Sequence, residues 1–565
     1  MTDEEISEQV LWIALENAKK HSGPPNKGAV LGAVLAMHPD LKPKAKEISS
    51  LVSLSLKTVE LMDESEKNEK LGYLDNKFSK NRISKSVKEK ERRLPQLPFS
   101  EKGVVMRFAP NPSGPLHLGH ARAALLNDEY VREYGGKYIL RIEDTDPKRV
   151  DPDAYRTVLE DIDWLGLQIT DVVYQSSRLS LYYENARQLI EIGGAYACTC
   201  DNEEFRLLKG RKEVCPCRSQ SEKETLDLWD KMEEGFFKEG EISLRLRTQI
   251  DHPDPAMRDF PLFRILNSPS HPRVEAHLYP LMNFSVSVDD HYLGVTHVIR
   301  GKDHIANTCR QKFIFDYFGW QIPYYRHYGR MGIEGVVLST SDIRKGINEG
   351  RYTDWDDIRL GTLRALGRRG ITPAAVRRAV LEIGIGETDI QFSWENLFAK
   401  NKEIIDPVSH RYFFVPDPVA VKISGTKPTI AKASLQPSDP LQGSRNIAFH
   451  DTVYIPSVEL NRKIEYLRLK DLFNILIKIE DGTISAEYAG NSLEEARSKK
   501  APIIQWLPYE ENVPCTLLTP EGVVKGLCEQ GVLNETGKEV QFERVGFVKI
   551  DKFDKGEITA YFTHR

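Results

Sequence analysis

The segment Val104–Tyr134 constrains the fold of this chain more than any other. Its apolar start, Val104–Met106, predicts a buried strand, and a loop rich in proline over 110–115 follows. His117-Leu-Gly-His120 then opens a helix whose apolar residues recur over 121–134. A strand, a stiff loop and a helix N-terminus form an anion site, because unpaired backbone N–H groups and the helix dipole point at the ligand. This order suits ATP held for attack at its α-phosphate.

Three residues at the start of that helix are candidates for the nucleotide site. Gly119 leaves space for a base or ribose to approach the backbone, since glycine has no Cβ. His117 and His120 lie three residues apart and share a face, from which both could reach one triphosphate. An isolated His-x-Gly-His sequence is more often an incidental turn, so the prediction of a nucleotide site depends on the longer segment.

The longer segment reads Arg-Phe-Ala-Pro-Asn-Pro-Ser-Gly-Pro-Leu-His-Leu-Gly-His over 107–120 and resembles the HIGH signature of class I aminoacyl-tRNA synthetases. It is most similar to the glutamyl- and glutaminyl-tRNA synthetase subfamily, in particular its archaeal-type glutamyl branch. The resemblance implies a multidomain α/β protein with a Rossmann-like, doubly wound parallel sheet. It further implies a zinc-bearing insertion, a helical N-terminal region and C-terminal antiparallel β-barrels that bind the anticodon.

The same resemblance implies the reaction. Glutamate would be attached to the 3′ end of tRNA-Glu through a glutamyl-adenylate, with ATP as the second substrate and Mg²⁺ accompanying it. The implied ligands are therefore L-glutamate, ATP and tRNA-Glu, for use in protein synthesis. Whether tRNA-Gln is also charged with glutamate stays open.

Composition agrees with a soluble protein of three to five domains. Of 565 residues, 40% are hydrophobic and 28% charged, and no apolar run reaches the length of a membrane span. The acidic N-terminus lacks a signal-peptide core and the seven cysteines do not resemble a secreted framework, so a cytoplasmic location is expected. The net charge of −5 argues weakly against nucleic acid, whereas two basic runs, Lys80–Arg93 and Arg364–Arg378, favour phosphate contact about as much as a solvated face.

Periodicity and chain breakers divide the sequence into six regions. With the roles that the resemblance implies for them, they are a helical extension with a basic linker (1–100), the first half of the catalytic sheet (101–194), an acceptor-binding insertion (195–285), the second half with a loop in place of the KMSKS signature (286–366), a helical connection (367–402) and two β-barrels (403–565). The N-terminal helices are a candidate docking module for a protein partner or a clamp for tRNA.

The glutamate pocket is expected where the second strand ends, in Arg141-Ile-Glu-Asp-Thr-Asp146. The resemblance implies that Glu143 holds the substrate α-ammonium, although alone this acidic stretch favours a helix-capping loop. Arg107 and Arg300 each end a strand, and the resemblance places both in the pocket. A guanidinium suits the γ-carboxylate better than an ammonium does.

Arg300 carries the expected selectivity for glutamate. Glutaminyl relatives have a small uncharged residue there, and an arginine facing neutral glutamine would lose about 2–5 kcal/mol of charge pairing. The resemblance adds Asn111 and Met282 to the pocket. Met282 stands where many relatives have a tyrosine, and methionine cannot donate a hydrogen bond.

The implied ATP site comprises Pro110, Gly114, His117, Gly119, His120, Asp303, Ser339 and Ser341. In the second class I signature, KMSKS, lysine stabilises the leaving pyrophosphate. Here Leu338-Ser-Thr-Ser-Asp342 replaces it. Arg344 and Lys345 are the nearest cations, so one of them, with His117 and His120, is predicted to be catalytic. The alternatives are a weak loop or an Asp342 that points to solvent.

Two further sets of residues are assigned. Cys198-x-Cys200 and Cys215-x-Cys217 suit a structural, tetrahedral Zn²⁺ site, with buried or redox-active cysteines as the alternative. The arginines of the helical connection would meet the inner corner of tRNA, and they are Arg364, Arg368, Arg369, Arg377 and Arg378.

Three other functions compete with the attachment of glutamate to tRNA. Glutamine ligation is disfavoured by Arg300, and another nucleotidyl transfer by the long β-rich C-terminal portion. A non-catalytic tRNA-binding scaffold, motivated by the altered KMSKS loop, is disfavoured by the intact His117 and His120.

Overall fold

The computed structural model describes residues 3–21, 24–37, 45–63, 66–74, 77, 94–101, 103–460, 465–480 and 483–565. The chain divides into two compact units, Met1–Arg93 and Leu94–Arg565. The basic run Lys80–Arg93 falls outside the described residues. Within the described ranges, no helix is both long enough and apolar enough to cross a bilayer.

The first unit is helical, as the sequence predicts. It contains α1 (Asp3–His21), α2 (Lys27–Met37) and α3 (Ala45–Leu61), and residues 66–74 are also helical. The three labelled helices pack against one another through apolar faces that bury Val10, Trp12, Val30 and Val52, and Leu74 of the segment 66–74 joins the same core. A shared core of this kind stabilises helices that would be marginal alone.

The second unit starts with alternating strands and helices. In chain order these are β1 (Val104–Phe108), α4 (Leu118–Tyr134), β2 (Gly136–Ile142), α5 (Ala154–Leu165), β3 (Asp171–Tyr174) and α6 (Leu179–Glu191). Helix α4 begins at Leu118, inside the His117–His120 segment that the sequence predicts to open it, and His117 is its N-cap. The insertion follows, with β4 (Ala195–Cys198), α7 (Asn202–Arg211), α8 (Glu222–Glu233), β5 (Ser243–Leu246), β6 (Phe263–Ile265) and β7 (Leu278–Pro280), whose strands form two two-stranded sheets, β4-β5 and β6-β7.

The catalytic part then resumes and ends in a helical connection. Its elements are α9 (Met282–Tyr292), β8 (His297–Gly301), α10 (Ile305–Phe318), β9 (Tyr324–Tyr328), β10 (Met331–Gly332), α11 (Thr340–Asn348), α12 (Leu363–Arg369), α13 (Pro373–Ile383), β11 (Ile390–Gln391) and α14 (Trp394–Ile405). The region limits predicted after residues 285 and 366 fall inside α9 and α12. A helix continues through each of these limits.

The parallel sheet predicted from the sequence is present. β1, β2 and β3 pair in parallel, as do β8 and β9. Thr296, just before β8, donates its N–H to the Val105 carbonyl at 2.9 Å, which sets the two parts side by side. At Gly136 (φ +123°), a Cβ would lie 1.9 Å from the Val104 carbonyl oxygen, so only glycine fits between α4 and β2. The carboxyl ends of β1, β2 and β8 therefore meet at one edge.

The C-terminal region forms two seven-stranded, barrel-like sheets. The strands of the region are β12 (Arg411–Tyr412), β13 (Phe414–Pro416), β14 (Pro418–Ser424), β15 (Thr429–Ser434), β16 (Ser444–Phe449), β17 (Thr452–Pro456), β18 (Tyr466–Leu469), β19 (Asn474–Glu480), β20 (Thr483–Tyr488), β21 (Ile503–Ile504), β22 (Leu507–Pro508), β23 (Val513–Thr519), β24 (Gly522–Cys528), β25 (Glu539–Phe542), β26 (Gly546–Asp554) and β27 (Glu557–His564). Helices α15 (Ser457–Leu460) and α16 (Leu493–Ser498) lie between strands, and β15 and β16 form a separate hairpin.

The predicted antiparallel pairing holds only in part. The sheet orders are β12-β25-β26-β27-β23-β24-β13 and β21-β18-β19-β20-β14-β17-β22. Four of these contacts, β12–β25, β14–β20, β18–β21 and β23–β27, are parallel. A pattern of short strands and turns indicates a β-rich region, but the direction of pairing is set by connections between distant strands.

Candidate active site

The N-terminus of α4 presents two histidines with defined tautomers. His117 caps the helix, and its Nδ1 accepts the Gly119 N–H at 3.0 Å. The His117 N–H donates in turn to His120 Nδ1 at 3.3 Å, and the two rings stack 3.8 Å apart. Since both Nδ1 atoms accept, each neutral ring carries its proton on Nε2. A Cβ on residue 119 would lie 2.8 Å from the His117 ring, so glycine is required there.

Both imidazoles are neutral donors at physiological pH. Burial lowers the pKa of His117 to about 4, and burial together with the neighbouring His117 lowers the pKa of His120 well below 6.5. Neutral rings next to a triphosphate act as hydrogen-bond donors rather than as general acids. The helix end therefore offers Nε2–H groups and a helix dipole to an anion.

A cleft of about 670 Å³ opens at the carboxyl ends of β1, β2 and β8. It brings together ten predicted site residues, Arg107, Pro110, Asn111, His117, Gly119, His120, Glu143, Met282, Arg300 and Asp303. Residues Gly114, Ser339, Ser341, Arg344 and Lys345 do not line this cleft. The glutamate set is therefore assembled in full, whereas the KMSKS-like loop lies outside it.

A buried charge network joins the floor of this cleft. The Asp290 carboxylate accepts from Arg141 at 2.5 Å and from Arg107 at 3.3 Å, and Arg141 also donates to Glu143 at 3.0 Å. Burial raises the pKa of Glu143, an effect opposed by Arg141 and Arg107. Sequence analysis missed Arg141 and Asp290. The adjacent acids Asp289 and Asp290 on the largely apolar helix α9 could have indicated this network, because buried carboxylates need charged or hydrogen-bonding partners.

Arg300 differs from the other arginines of the pocket. Its residue is 8% exposed, and Nη2 donates at 2.7 Å to both Thr308 Oγ1 and Gln311 Oε1. Among the described residues it has no carboxylate within ion-pair distance, whereas Arg107 is paired with Asp290. Burial and the adjacent Arg107 lower the pKa of Arg300 to about 10. Asp290 and Glu143 act in the opposite direction from beyond ion-pair distance, so among the described residues this buried cation has no carboxylate in direct contact.

The KMSKS-like loop is ordered by a helix cap. Ser339 caps α11, where its Oγ accepts the Asp342 N–H at 3.4 Å, and it lies 3.0 Å from Ser341 Oγ. Asp342 is exposed, as one of the sequence alternatives holds. Arg344 donates to the Ser113 carbonyl at 2.7 Å and pairs with Asp151, so it fastens α11 to the proline-rich loop.

Lys345 and the arginines of the helical connection have partners within the chain. Lys345 is exposed and lies 3.8 Å from Glu349. Four arginines contact Glu160 (Arg364), Asp356 (Arg368), the Phe562 and Thr563 carbonyls (Arg369) and Asp128 (Arg377). Arg378 stays largely exposed, 3.7 Å from Glu403. Their contact with tRNA remains a prediction.

The four cysteines of the insertion converge. Their Sγ atoms all lie within 4.8 Å of one another, with pairs at 3.6 Å (Cys198–Cys215), 3.3 Å (Cys200–Cys215) and 3.7 Å (Cys200–Cys217). A tetrahedral ion with Zn–S bonds of about 2.3 Å requires S–S distances of about 3.8 Å. The donor set and its spacing therefore fit a four-thiolate zinc site.

A parallel sheet, a histidine-capped helix and a nucleotide-sized cleft at the strand ends together define a nucleotide-binding protein of the doubly wound α/β class. Family models for the class I tRNA synthetases (E and Q) match the catalytic domain at residues 103–407 and the anticodon-binding domain at 409–490 and 503–551. The chain belongs to this glutamyl- and glutaminyl-tRNA synthetase family.

Curated relatives extend the match over the whole chain. It is 59% identical to the glutamate–tRNA ligase of Methanospirillum hungatei JF-1 over 565 residues, which cover 100% of both chains. The ligases of Methanocorpusculum labreanum and Methanoculleus marisnigri are 59% and 56% identical, again over 100% of each chain. The archaeal-type glutamyl resemblance is thereby confirmed.

Proposed function

We propose that this chain attaches glutamate to the 3′ end of tRNA-Glu at the expense of ATP. The observation that carries the proposal is Arg300, a buried guanidinium without a carboxylate at ion-pair distance among the described residues. The γ-carboxylate of glutamate supplies the missing charge, and the neutral amide of glutamine does not. Full-length identity to several glutamate–tRNA ligases supports the same substrate.

In the proposed reaction an α-carboxylate oxygen of glutamate attacks the α-phosphorus of ATP. The bond from that phosphorus to the bridging oxygen breaks, and pyrophosphate leaves with the electron pair. The terminal ribose hydroxyl of tRNA then attacks the adenylate carbonyl, and AMP leaves. Neither step needs a covalent enzyme intermediate, so catalysis consists of positioning and charge stabilisation.

Each group in the cleft has a role in that sequence. Glu143 pairs with the substrate ammonium, and Arg300 pairs with the γ-carboxylate. His117 and His120 donate from Nε2 to phosphate oxygens, which gain charge as the leaving bond breaks. Arg344 is the better placed of the two predicted loop cations, because its contact with the Ser113 carbonyl brings α11 next to the loop that precedes the ATP helix. Mg²⁺ enters with the ATP phosphates.

We also propose that the cysteine set binds one structural Zn²⁺. Cys198, Cys200, Cys215 and Cys217 would hold it with four sulfurs, which leaves no open position for substrate. Such a site stabilises the fold of the insertion, and its place in the reaction is indirect.

Aminoacylation of purified tRNA tests the main proposal. Labelled glutamate and labelled glutamine are each offered with tRNA-Glu or tRNA-Gln, and ATP–pyrophosphate exchange is followed with tRNA present. Glutamate on tRNA-Glu is the expected product, and glutamine transfer at a similar rate contradicts the proposal. The arm with glutamate and tRNA-Gln determines whether tRNA-Gln is a second acceptor.

A further inference from the structure

We propose that His271 is a positioning residue that fixes the Glu143 loop from the insertion and thereby sets the affinity for glutamate. This inference rests on the proposed function. Residues 143–146, here called the Glu143 loop, follow β2, where the chain leaves the sheet and its carbonyls lose their ladder partners. Buried carbonyls of this kind require other donors.

Side chains supply those donors at three successive residues. The carbonyl of Glu143 accepts from Asn111 Nδ2 at 3.0 Å, that of Asp144 from His271 Nε2 at 2.8 Å, and that of Thr145 from Arg264 at 3.2 Å. Asn111 belongs to the proline-rich loop of the catalytic part, whereas His271 and Arg264 both belong to the insertion. Two of the three donors that hold the loop therefore come from the insertion rather than from the catalytic part.

The tautomer of His271 matches this role. Its Nδ1 accepts the backbone N–H of Arg273 at 3.1 Å, so in the neutral ring the proton is on Nε2 and points at the Asp144 carbonyl. The imidazole is fully buried and joins two backbone segments separated by more than 100 residues. Arg273 adds a second contact, with its guanidinium 3.9 Å from the centre of the Tyr174 ring.

The far side of the loop is held as firmly. The Asp144 carboxylate accepts from the N–H and hydroxyl of Ser176 and from the Tyr155 hydroxyl, each at 2.7 Å. Asp144 is thus clamped from two directions, and His271 is the only donor to its carbonyl among the hydrogen bonds of the described residues. Glu143 is the preceding residue, so a shift of the Asp144 peptide moves the carboxylate that meets the substrate ammonium.

The test compares KM values in tRNA-dependent ATP–pyrophosphate exchange. His271→Ala should raise KM for glutamate by about tenfold or more and leave KM for ATP within twofold, because the ATP cradle at α4 makes no contact with His271. His271→Gln places an amide N–H near the Nε2 position and should restore most of the affinity. His277→Ala is the matched control, because His277 Nε2 also meets a backbone carbonyl at 2.8 Å, but that of Met232 within the insertion.

Each result of this comparison either supports or overturns the inference. An unchanged KM for glutamate, an equal rise in both KM values, or the same rise in His277→Ala overturns the inference. If His271→Ala does not fold, Arg264→Met removes the donor to the Thr145 carbonyl and should give the same selective rise; a variant without one also overturns it. Wild-type enzyme without glutamate-dependent exchange would instead refute the proposed function.

Discussion

Replacing Arg300 with glutamine should remove the preference for glutamate. In the native pocket this guanidinium donates to Thr308 and Gln311 at 2.7 Å and has no carboxylate at ion-pair distance in the described part of the chain. In the proposed assignment, the γ-carboxylate of bound glutamate forms an ion pair with it. Removing one partner of a buried, hydrogen-bonded charge pair costs about 2–5 kcal/mol.

That cost corresponds to a loss of about 30-fold to 4,000-fold in kcat/KM for glutamate, since about 1.4 kcal/mol is a factor of ten. The loss should appear mainly in KM, because the γ-carboxylate lies away from the reacting atoms and binds equally in ground and transition states. Glutamine should lose far less or gain, since a neutral amide can hydrogen-bond to the new side chain.

The assay is exchange and aminoacylation with each amino acid, for wild type and Arg300→Gln, at saturating ATP and tRNA-Glu. The melting temperature serves as a folding control. Arg107→Gln is a useful comparison, because Arg107 is already paired with Asp290 and its removal leaves that acid partly paired through Arg141. If Arg300→Gln keeps its glutamate efficiency within threefold, the charge argument is refuted.

Three further predictions concern the loop, the cysteines and the histidine cap. Arg344→Ala should slow pyrophosphate exchange more than Lys345→Ala does, since only Arg344 contacts the proline-rich loop; unchanged rates in both would reject a catalytic role for either. Elemental analysis should find one zinc per chain, and Cys200→Ser should lower that content and the melting temperature. His117 has a folded-state pKa of about 4, below the unfolded value near 6.5, so the unfolded chain takes up the proton first and stability falls by about 2 kcal/mol from pH 7 to pH 5. His117→Asn, which still caps α4, should show a smaller drop in melting temperature over that range, and an equal drop would contradict the assignment.

Local patterns predicted the parts of the site that are local in sequence. The strand, loop and helix over 104–134 are adjacent in the chain, so apolar runs and prolines indicate them directly. The two Cys-x-Cys pairs likewise place their four sulfurs within 4.8 Å of one another. Ten of the predicted cleft residues are brought together because strand ends of a parallel sheet share one edge.

The parts that sequence did not predict depend on partners far apart in the chain. Asp290 meets Arg107 and Arg141 across more than 140 residues, and the contact of His271 with Asp144 spans 127. A charged or polar residue type indicates that a partner is needed, but only packing decides which one. The sequence did not predict the parallel pairs in the barrel-like sheets for the same reason. The direction of strand pairing is set by connections between distant strands and not by composition.

The arginines of the helical connection show that partners distant in the sequence also decide what a run of basic residues does. Arg368 pairs with Asp356 and lies over the Tyr561 ring, and Arg369 donates to the Phe562 and Thr563 carbonyls of the last strand. Burial lowers the pKa of Arg369 to about 10, as expected for a guanidinium withdrawn from water. These two side chains therefore hold α12 against a β-rich sheet. The observed role of these two basic residues is to connect structural parts of the chain. Arg378, which is more than half exposed and 3.7 Å from its acidic neighbour, has the freedom that phosphate contact requires.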